Sequence, residues 1–284
     1  MSLPLLICTD LDRTLLPNGP QPESPGVREC FARLVSHPAV TLAYVSGRNR
    51  DLVAEAIEAF RLPIPDFVIG DVGTTLYRVG PEQAWEHQAQ WENRLGKAWG
   101  DNRPSDLQAV LKGISQLSLQ EAPKQNRHKL SYYVPLEAEG EALALEIQDR
   151  LATIGASSNL IWSLDEAKGV GLLDILPAGA SKFHAIEMLY QQLGFELWET
   201  VFCGDSGNDL EVLVSPIPSV LVANANPEVK QCALELAERA GCSAQLYLAK
   251  GGFHGMNGNY CGGMLEGIAH YHPDTIALMG LDTP

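Results

Sequence analysis

The stretch Leu5-Leu6-Ile7-Cys8-Thr9-Asp10-Leu11-Asp12-Arg13-Thr14 reads as a buried strand that ends on two carboxylates. Leu5 to Thr9 is a short, unbroken, mostly apolar run of the kind found in a strand covered on both faces. Asp10 and Asp12 follow at spacing two, which on extended backbone aims both side chains to one side of the strand end. Carboxylates this close to each other and to a buried strand are costly unless a cation lies between them or one keeps its proton. Taken alone, the pair serves equally well as turn or cap residues.

Similar runs recur at Val40 to Val45, Phe67 to Gly70, Leu172 to Leu176, Val201 to Gly204 and Ser219 to Ala223. Helical patterns lie between them, at Pro25 to Ser36, Asn49 to Phe60, Lys182 to Leu193, Asn208 to Val214 and Pro227 to Ala240. Strand alternating with helix predicts an α/β fold, a doubly wound, mostly parallel Rossmann-like sheet with its ligands at the carboxyl ends of the strands. The rhythm breaks after about Gly80. Polar helical patterns over Glu82 to Gly96 and Pro104 to Leu119 precede a strand at Lys129 to Val134, a helix at Glu139 to Ile154 and a strand around Asn159 to Trp162. The expected organisation is a core domain of residues 1–80 and 169–284 with a smaller inserted α+β cap domain of residues 81–168.

The chain has 284 residues, 45% of them hydrophobic and 19% charged, which gives ample material for a core and no compositional case for disorder. Against 20 Lys+Arg stand 35 Asp+Glu, a formal charge of −15 that argues against nucleic acid as a partner. The same charge means that any site for an anion needs its own positive field. The six cysteines form no C-x-x-C pair and read as free, mostly buried thiols. The start Met1-Ser2-Leu3 has no basic leader, and no apolar run approaches the ~20 residues of a membrane span. A cytoplasmic protein with no membrane partner is the expectation.

A second oxygen-rich cluster, Gly204-Asp205-Ser206-Gly207-Asn208-Asp209, follows the strand at Val201 to Cys203. Carboxylates at two strand ends suit a hard cation such as Mg²⁺. Ser46-Gly47-Arg48 follows another strand and offers a hydroxyl and backbone N–H groups to phosphate oxygens, although Ser-Gly is also a common helix cap. Lys182 stands at a predicted helix start, where the dipole disfavours a cation and neutralising a phosphate gives a reason for it.

In order and spacing, Asp10-Leu11-Asp12-x-Thr14, Ser46-Gly47-Arg48, Lys182 and Gly204-Asp205-Ser206-x-x-Asp209 resemble the four motifs of the haloacid-dehalogenase-like phosphatases. The resemblance implies that Asp10 is a nucleophile forming an aspartyl-phosphate and that Asp12 is the acid and base. It implies that Ser46, Gly47 and Lys182 hold the phosphoryl group, with Asn208 nearby. Mg²⁺ would be bound by Asp10, the Asp12 carbonyl and Asp205, with Asp209 near or acting through water. Arg13 departs from the Gly or Asn common at its position; it could bind substrate, and is expected rather to point to solvent.

The position of the insertion is similar to that of the α+β-capped, sucrose-phosphatase-like branch. So are Asp66 to Thr74, Leu173 to Pro177, Asn224 to Val229 and Gly258 to Ile268. The implied substrate is a small-molecule sugar phosphate, a non-reducing disaccharide phosphate such as sucrose 6-phosphate. Mannosylfructose phosphate and glycosyl-phosphoglycerates are the alternatives. Arg48 and the cap residues Lys129 and Ser131 are candidates for the sugar, the last two also reading as a solvated sheet edge. His254 reads as a helix cap rather than a substrate contact, and Trp85, Trp91 and Trp99 as a packing face or a sugar platform. A sugar phosphomutase and a non-catalytic sugar-phosphate-binding protein remain open as rivals.

Overall fold

The computed structural model describes residues 4–165 and 168–281, so that Met1-Ser2-Leu3, read above for a leader, lie outside the described residues. Its strands are β1 (Leu5–Thr9), β2 (Val40–Val45), β3 (Phe67–Gly70), β4 (Thr75–Val79), β5 (Trp85–His87), β6 (Ser118–Leu119), β7 (Leu130–Val134), β8 (Ser158–Asp165), β9 (Val170–Pro177), β10 (Thr200–Gly204), β11 (Ser219–Leu221) and β12 (Leu246–Leu248). Its main helices are α1 (Val27–Val35), α2 (Arg50–Phe60), α3 (Ala89–Gly96), α4 (Pro104–Leu111), α5 (Gly140–Ala152), α6 (Lys182–Leu193), α7 (Leu210–Leu213), α8 (Pro227–Ala240) and α9 (Cys261–Tyr271).

Eight strands form one sheet in the order β12-β11-β10-β1-β2-β3-β4-β5, parallel from β12 to β3. The opening run shows why it is apolar throughout. Leu5 and Ile7 enter the core on one side, with α1, α2 and α9, while Leu6 and Cys8 enter the core on the other, with α6, α7 and α8. Each such buried Leu or Ile contributes roughly 1.5–3 kcal/mol. The mixed α/β fold with a mostly parallel central sheet is the one expected. The reversal at the centre of the strand order, where β10, β1 and β2 lie side by side, makes their carboxyl ends the place for a ligand.

A second sheet of four strands, β6-β7-β9-β8, is antiparallel and has its own core with α4 and α5. Here the structure corrects the sequence reading. Leu172 to Leu176 belongs to this sheet and not to the parallel one, because β9 lies between β7 and β8, with Leu130 opposite Ile175 and Leu160 opposite the same residue. A strand covered on one face by helices and flanked on both edges is as apolar as a parallel core strand, so the run does not tell the two apart. The polar segment Glu82 to Gly96 is helical only from Ala89, its start being the edge strand β5. Pro104 to Leu119 stops being a helix at Leu111, just before Gly113, whose φ of 94° is left-handed.

Cys8, Cys30, Cys203, Cys242 and Cys261 are buried free thiols, and Cys232 is half-buried. Among the described residues no helix is long and apolar enough to cross a membrane.

Candidate active site

Asp10 follows β1, and its N–H donates to the Cys203 carbonyl at 2.9 Å, so it is tied to the neighbouring strand β10. Ser46 follows β2, and Asp205 follows β10. The three adjacent central strands therefore deliver these side chains to one place, and all three residues are buried. Lys182 reaches the same place from the first turn of α6, whose start is fixed by Ser181 accepting from the His184 N–H. Its Nζ lies 3.2 Å from Asp10 Oδ1 and 2.7 Å from Asp209 Oδ1, with the side chain 1% exposed. Gly73 makes this approach possible, since a Cβ on it would stand 2.2 Å from the Ser181 carbonyl oxygen.

Both carboxylate oxygens of Asp209 accept hydrogen bonds. Oδ2 accepts from the N–H groups of Asp205 and Ser206, both at 3.1 Å, while Oδ1 takes the Lys182 ammonium. Gly204 leaves room for it, because a Cβ there would meet the Asp209 carboxylate at 2.7 Å. Asn208 faces Gly47, its Nδ2 3.9 Å from where a Gly47 Cβ would be. Asp12 stands apart from this buried group. Arg48 clasps it, Nε to Oδ2 at 2.7 Å and Nη2 to Oδ1 at 2.6 Å, and Asn18 Nδ2 donates to Oδ1 at 2.6 Å.

Negative charge is in excess. Burial pushes the Asp10 carboxyl up, against the pull of Lys182 and with Asp209 and Asp12 adding to the rise. Asp205 is raised well above its ordinary value, first by burial and then by Asp10 and Asp209. Burial alone would lower Lys182, but Asp10 and Asp209 outweigh it and hold its ammonium above the usual lysine value. Asp12 goes the other way. Burial works upward there too, yet Arg48 and Asn18 prevail and keep it below the ordinary carboxylate value. Carboxylate oxygens of Asp10, Asp205 and Asp209 lie within 4.8 Å of one another, a buried, oxygen-only, under-compensated set that fits a hard divalent cation.

The Sucrose-6F-phosphate phosphohydrolase family matches residues 3–272. This chain belongs to that family. A protein of Nitrosococcus oceani assigned only to the HAD-like hydrolases is 48% identical over 98% of this chain and 75% of its own length. The mannosylfructose-phosphate phosphatase of Agrobacterium fabrum is 31% identical over 79% of this chain and 85% of its own. The chain spans 59% or less of the plant sucrose-phosphatases it also matches. Among solved structures, the sucrose-phosphatase of Synechocystis sp. PCC6803 in complex with sucrose and phosphate aligns with a TM-score of 0.74 at 26% identity, over 95% of this chain and 98% of that one. This member of the sucrose-6F-phosphate phosphohydrolase family is a phosphatase of the haloacid-dehalogenase-like superfamily, as its motifs led us to expect.

Within this phosphohydrolase-family fold several residues differ from their sequence reading. Arg13 does not point to solvent; its Nε lies 3.5 Å from Asp205 Oδ2 and its Nη2 donates to the Asn224 carbonyl at 3.2 Å. Lys129 and Ser131 are not a solvated edge. Lys129 Nζ donates to the Gly47 carbonyl at 3.2 Å and lies 3.4 Å from Asp71 Oδ1, while the Ser131 hydroxyl is engaged with the Asp174 carboxylate. Asp71 was read only as part of a resemblance, yet it is buried beside the site, with φ of 52°. No local signal marks it, because its partner Lys129 is distant in sequence. His254 lies in the turn Phe253–Gly255, and α9 starts after Tyr260 with no side-chain cap. The tryptophans share no face: Trp85 packs on one side of the large sheet, Trp91 on the other, and Trp99 in the core of the small sheet.

Proposed function

We propose that this chain hydrolyses the phosphate ester of a phosphorylated disaccharide, sucrose 6-phosphate first among them, through an aspartyl-phosphate on Asp10. The observation that carries the chemistry is Lys182 held between Asp10 and Asp209 at the carboxyl ends of β1 and β10, with Asp205 across from it. Asp10 attacks phosphorus as the ester P–O bond breaks, and Asp12, ionised at rest, passes to the leaving sugar oxygen a proton that it has first taken up from solvent. Asp12 then takes a proton from water, whose oxygen attacks phosphorus and releases Asp10 and inorganic phosphate. Lys182, the Ser46 hydroxyl and the Gly47 and Asn208 groups hold phosphoryl oxygens as charge spreads over them.

In this reading Asp10, Asp205 and the Asp12 carbonyl would hold Mg²⁺, with Asp209 placing Lys182 and the Asp205 loop. The cation would supply charge neutralisation for the approaching phosphate dianion. Asp12, half-buried with its side chain 41% exposed where that of Asp10 is 6% exposed, can exchange protons with solvent. Within segment 81–168, the small sheet with α4 and α5, joined by β9, is the cap that selects the sugar, with Arg48 and Lys129 at its border with the core. Family membership supports the sugar class, and the 31% identical mannosylfructose-phosphate phosphatase favours that ester as a second candidate.

Phosphate release should be measured with Mg²⁺ on sucrose 6-phosphate, mannosylfructose phosphate, glycosyl-phosphoglycerates and simple hexose phosphates. One disaccharide phosphate should stand well above the others, and Asp10→Asn should abolish release while remaining folded. Uniformly low rates would overturn the substrate, and an active Asp10→Asn variant would overturn the mechanism.

A further inference from the structure

Arg13 is fixed at every end. Its backbone is left-handed, with φ of 57°, an uncommon state for a residue with a Cβ. Its N–H donates to Asn18 Oδ1 at 2.8 Å, its carbonyl accepts from Asn224 Nδ2 at 2.6 Å, and its Nη2 donates back to the Asn224 carbonyl. The guanidinium so held lies with Nε 3.5 Å from Asp205 Oδ2, while Thr14 Oγ1 donates to Asp205 Oδ1 at 3.1 Å. Both oxygens of this buried carboxylate are therefore addressed by the segment that carries Asp10 and Asp12.

Three cations face the four carboxylates of the site. Lys182 serves Asp10 and Asp209, Arg48 serves Asp12, and Arg13 stands against Asp205. A divalent cation held by Asp205 would share that carboxylate with Arg13, whose Nε lies 3.5 Å from it, and two neighbouring positive charges repel even at the moderate dielectric of a protein surface. Arg keeps its charge at any working pH, so this repulsion is permanent.

We propose that Arg13 is a resident counter-cation for Asp205, a positioning residue that holds this carboxylate in place before a divalent cation arrives and limits how tightly the cation is then kept. The proposal rests on the Mg²⁺ reading given above. Its consequence is a metal that exchanges readily.

The test is thermal unfolding of the full chain, first in chelator and then across a Mg²⁺ titration, for the wild type, Arg13→Gln and Arg13→Lys. Arg13→Gln should melt lower in chelator, yet reach half of its Mg²⁺ stabilisation at a concentration lower by on the order of tenfold. Arg13→Lys, which keeps the charge, should stay near the wild type in both respects. Should Arg13→Gln not fold, Arg13→Asn removes the charge with a residue that tolerates left-handed backbone, and the same shift is expected. Equal losses with and without Mg²⁺ and an unchanged midpoint would reduce Arg13 to a tertiary anchor for Asn224 and overturn the proposal. A midpoint that rises would overturn it as well. A wild type indifferent to Mg²⁺ would overturn this proposal and the metal reading together, whereas a responsive wild type matched by Arg13→Gln removes this proposal alone.

Discussion

Arg48 holds Asp12 in a two-pronged grip, Nε on one carboxylate oxygen at 2.7 Å and Nη2 on the other at 2.6 Å, so the carboxylate plane has a single orientation. The fork is what a guanidinium provides and an ammonium does not. The grip favours charged Asp12, which is the form that takes a proton from water. Arg48→Lys should therefore slow breakdown of the aspartyl-phosphate more than its formation, with kcat falling about 10–100-fold, less than the roughly 10²–10⁴-fold full worth of a general base because Asp12 itself remains. Rapid mixing with an aryl phosphate, whose leaving group needs no proton, should show a burst of phenolate absent in the wild type. Equal slowing with no burst would sink this assignment.

Lys129 and Asp71 join the small sheet to the large one across a buried pair at 3.4 Å. Burial raises Asp71 above the ordinary carboxylate value even though Lys129, Thr75 and Asn126 oppose it. Lys129→Met leaves that buried carboxylate without a counter-ion, with Thr75 still donating to it, and should cost about 3–5 kcal/mol at neutral pH. Lys129→Met with Asp71→Asn should recover most of the loss, giving a large coupling. The sign with pH follows from the raised value: the contribution of Asp71 to stability is complete below its unfolded value, about pH 4, and falls as pH rises through the folded value. The deficit of Lys129→Met should thus shrink on acidification. A deficit independent of pH in denaturant melts would contradict the pairing.

Asp10, Ser46 and Asp205 were legible because each directly follows a run of buried strand residues, and Asp12 because it stands two residues past Asp10; a parallel sheet presents its strand ends together. Lys182 was legible because a cation at a helix start lacks a local reason. What was not legible depends on contacts between distant segments. Arg13 is placed by Asn224 and Asp205, and Lys129 by Gly47 and Asp71, pairings that no periodicity encodes. β9 was assigned to the wrong sheet because its apolar run is the same in either, and only its register on β7 and β8 decides. β4 and β5 extend the large sheet as antiparallel strands after the turn at Asp71–Gly73, and β5 has three residues, too few for alternation to show.

That turn supports a third prediction. Asp71, Val72 and Gly73 have φ of 52°, 59° and 96°, and the first two have side chains that make such backbone strained. Gly73 is the member that admits no substitute, since even a methyl group would overlap the Ser181 carbonyl one residue before Lys182. Gly73→Ala should cost more than about 3 kcal/mol, from backbone strain and overlap together. It should also lower kcat more than it raises KM, because the displaced group is Lys182. Gly100→Ala, at φ of 59° with nothing within 4 Å of the added carbon, is the control that carries strain without the overlap. Equal losses in the two variants would show that only conformational freedom mattered at Gly73.

Asp209 distinguishes a metal ligand from a residue that places others. Both of its oxygens already accept, Oδ1 from Lys182 and Oδ2 from two backbone N–H groups. An asparagine has one acceptor and one donor at its tip, so either orientation sets an NH₂ against a donor. If it faces Lys182, the ammonium loses a partner; if it faces the loop, the Asp205 and Ser206 N–H groups are left unpaired in a buried place. Each unpaired buried donor costs about 1–3 kcal/mol, and Asp209→Asn should lose that much whether measured in chelator or in Mg²⁺. Activity should fall on the order of 10²–10³-fold, the range found when a donor to the transition state is misplaced. Differential unfolding in the two conditions decides the role: a deficit present only with Mg²⁺ would make Asp209 a direct ligand, whereas the same deficit without metal follows from the hydrogen bonds that place Lys182 and Asp205.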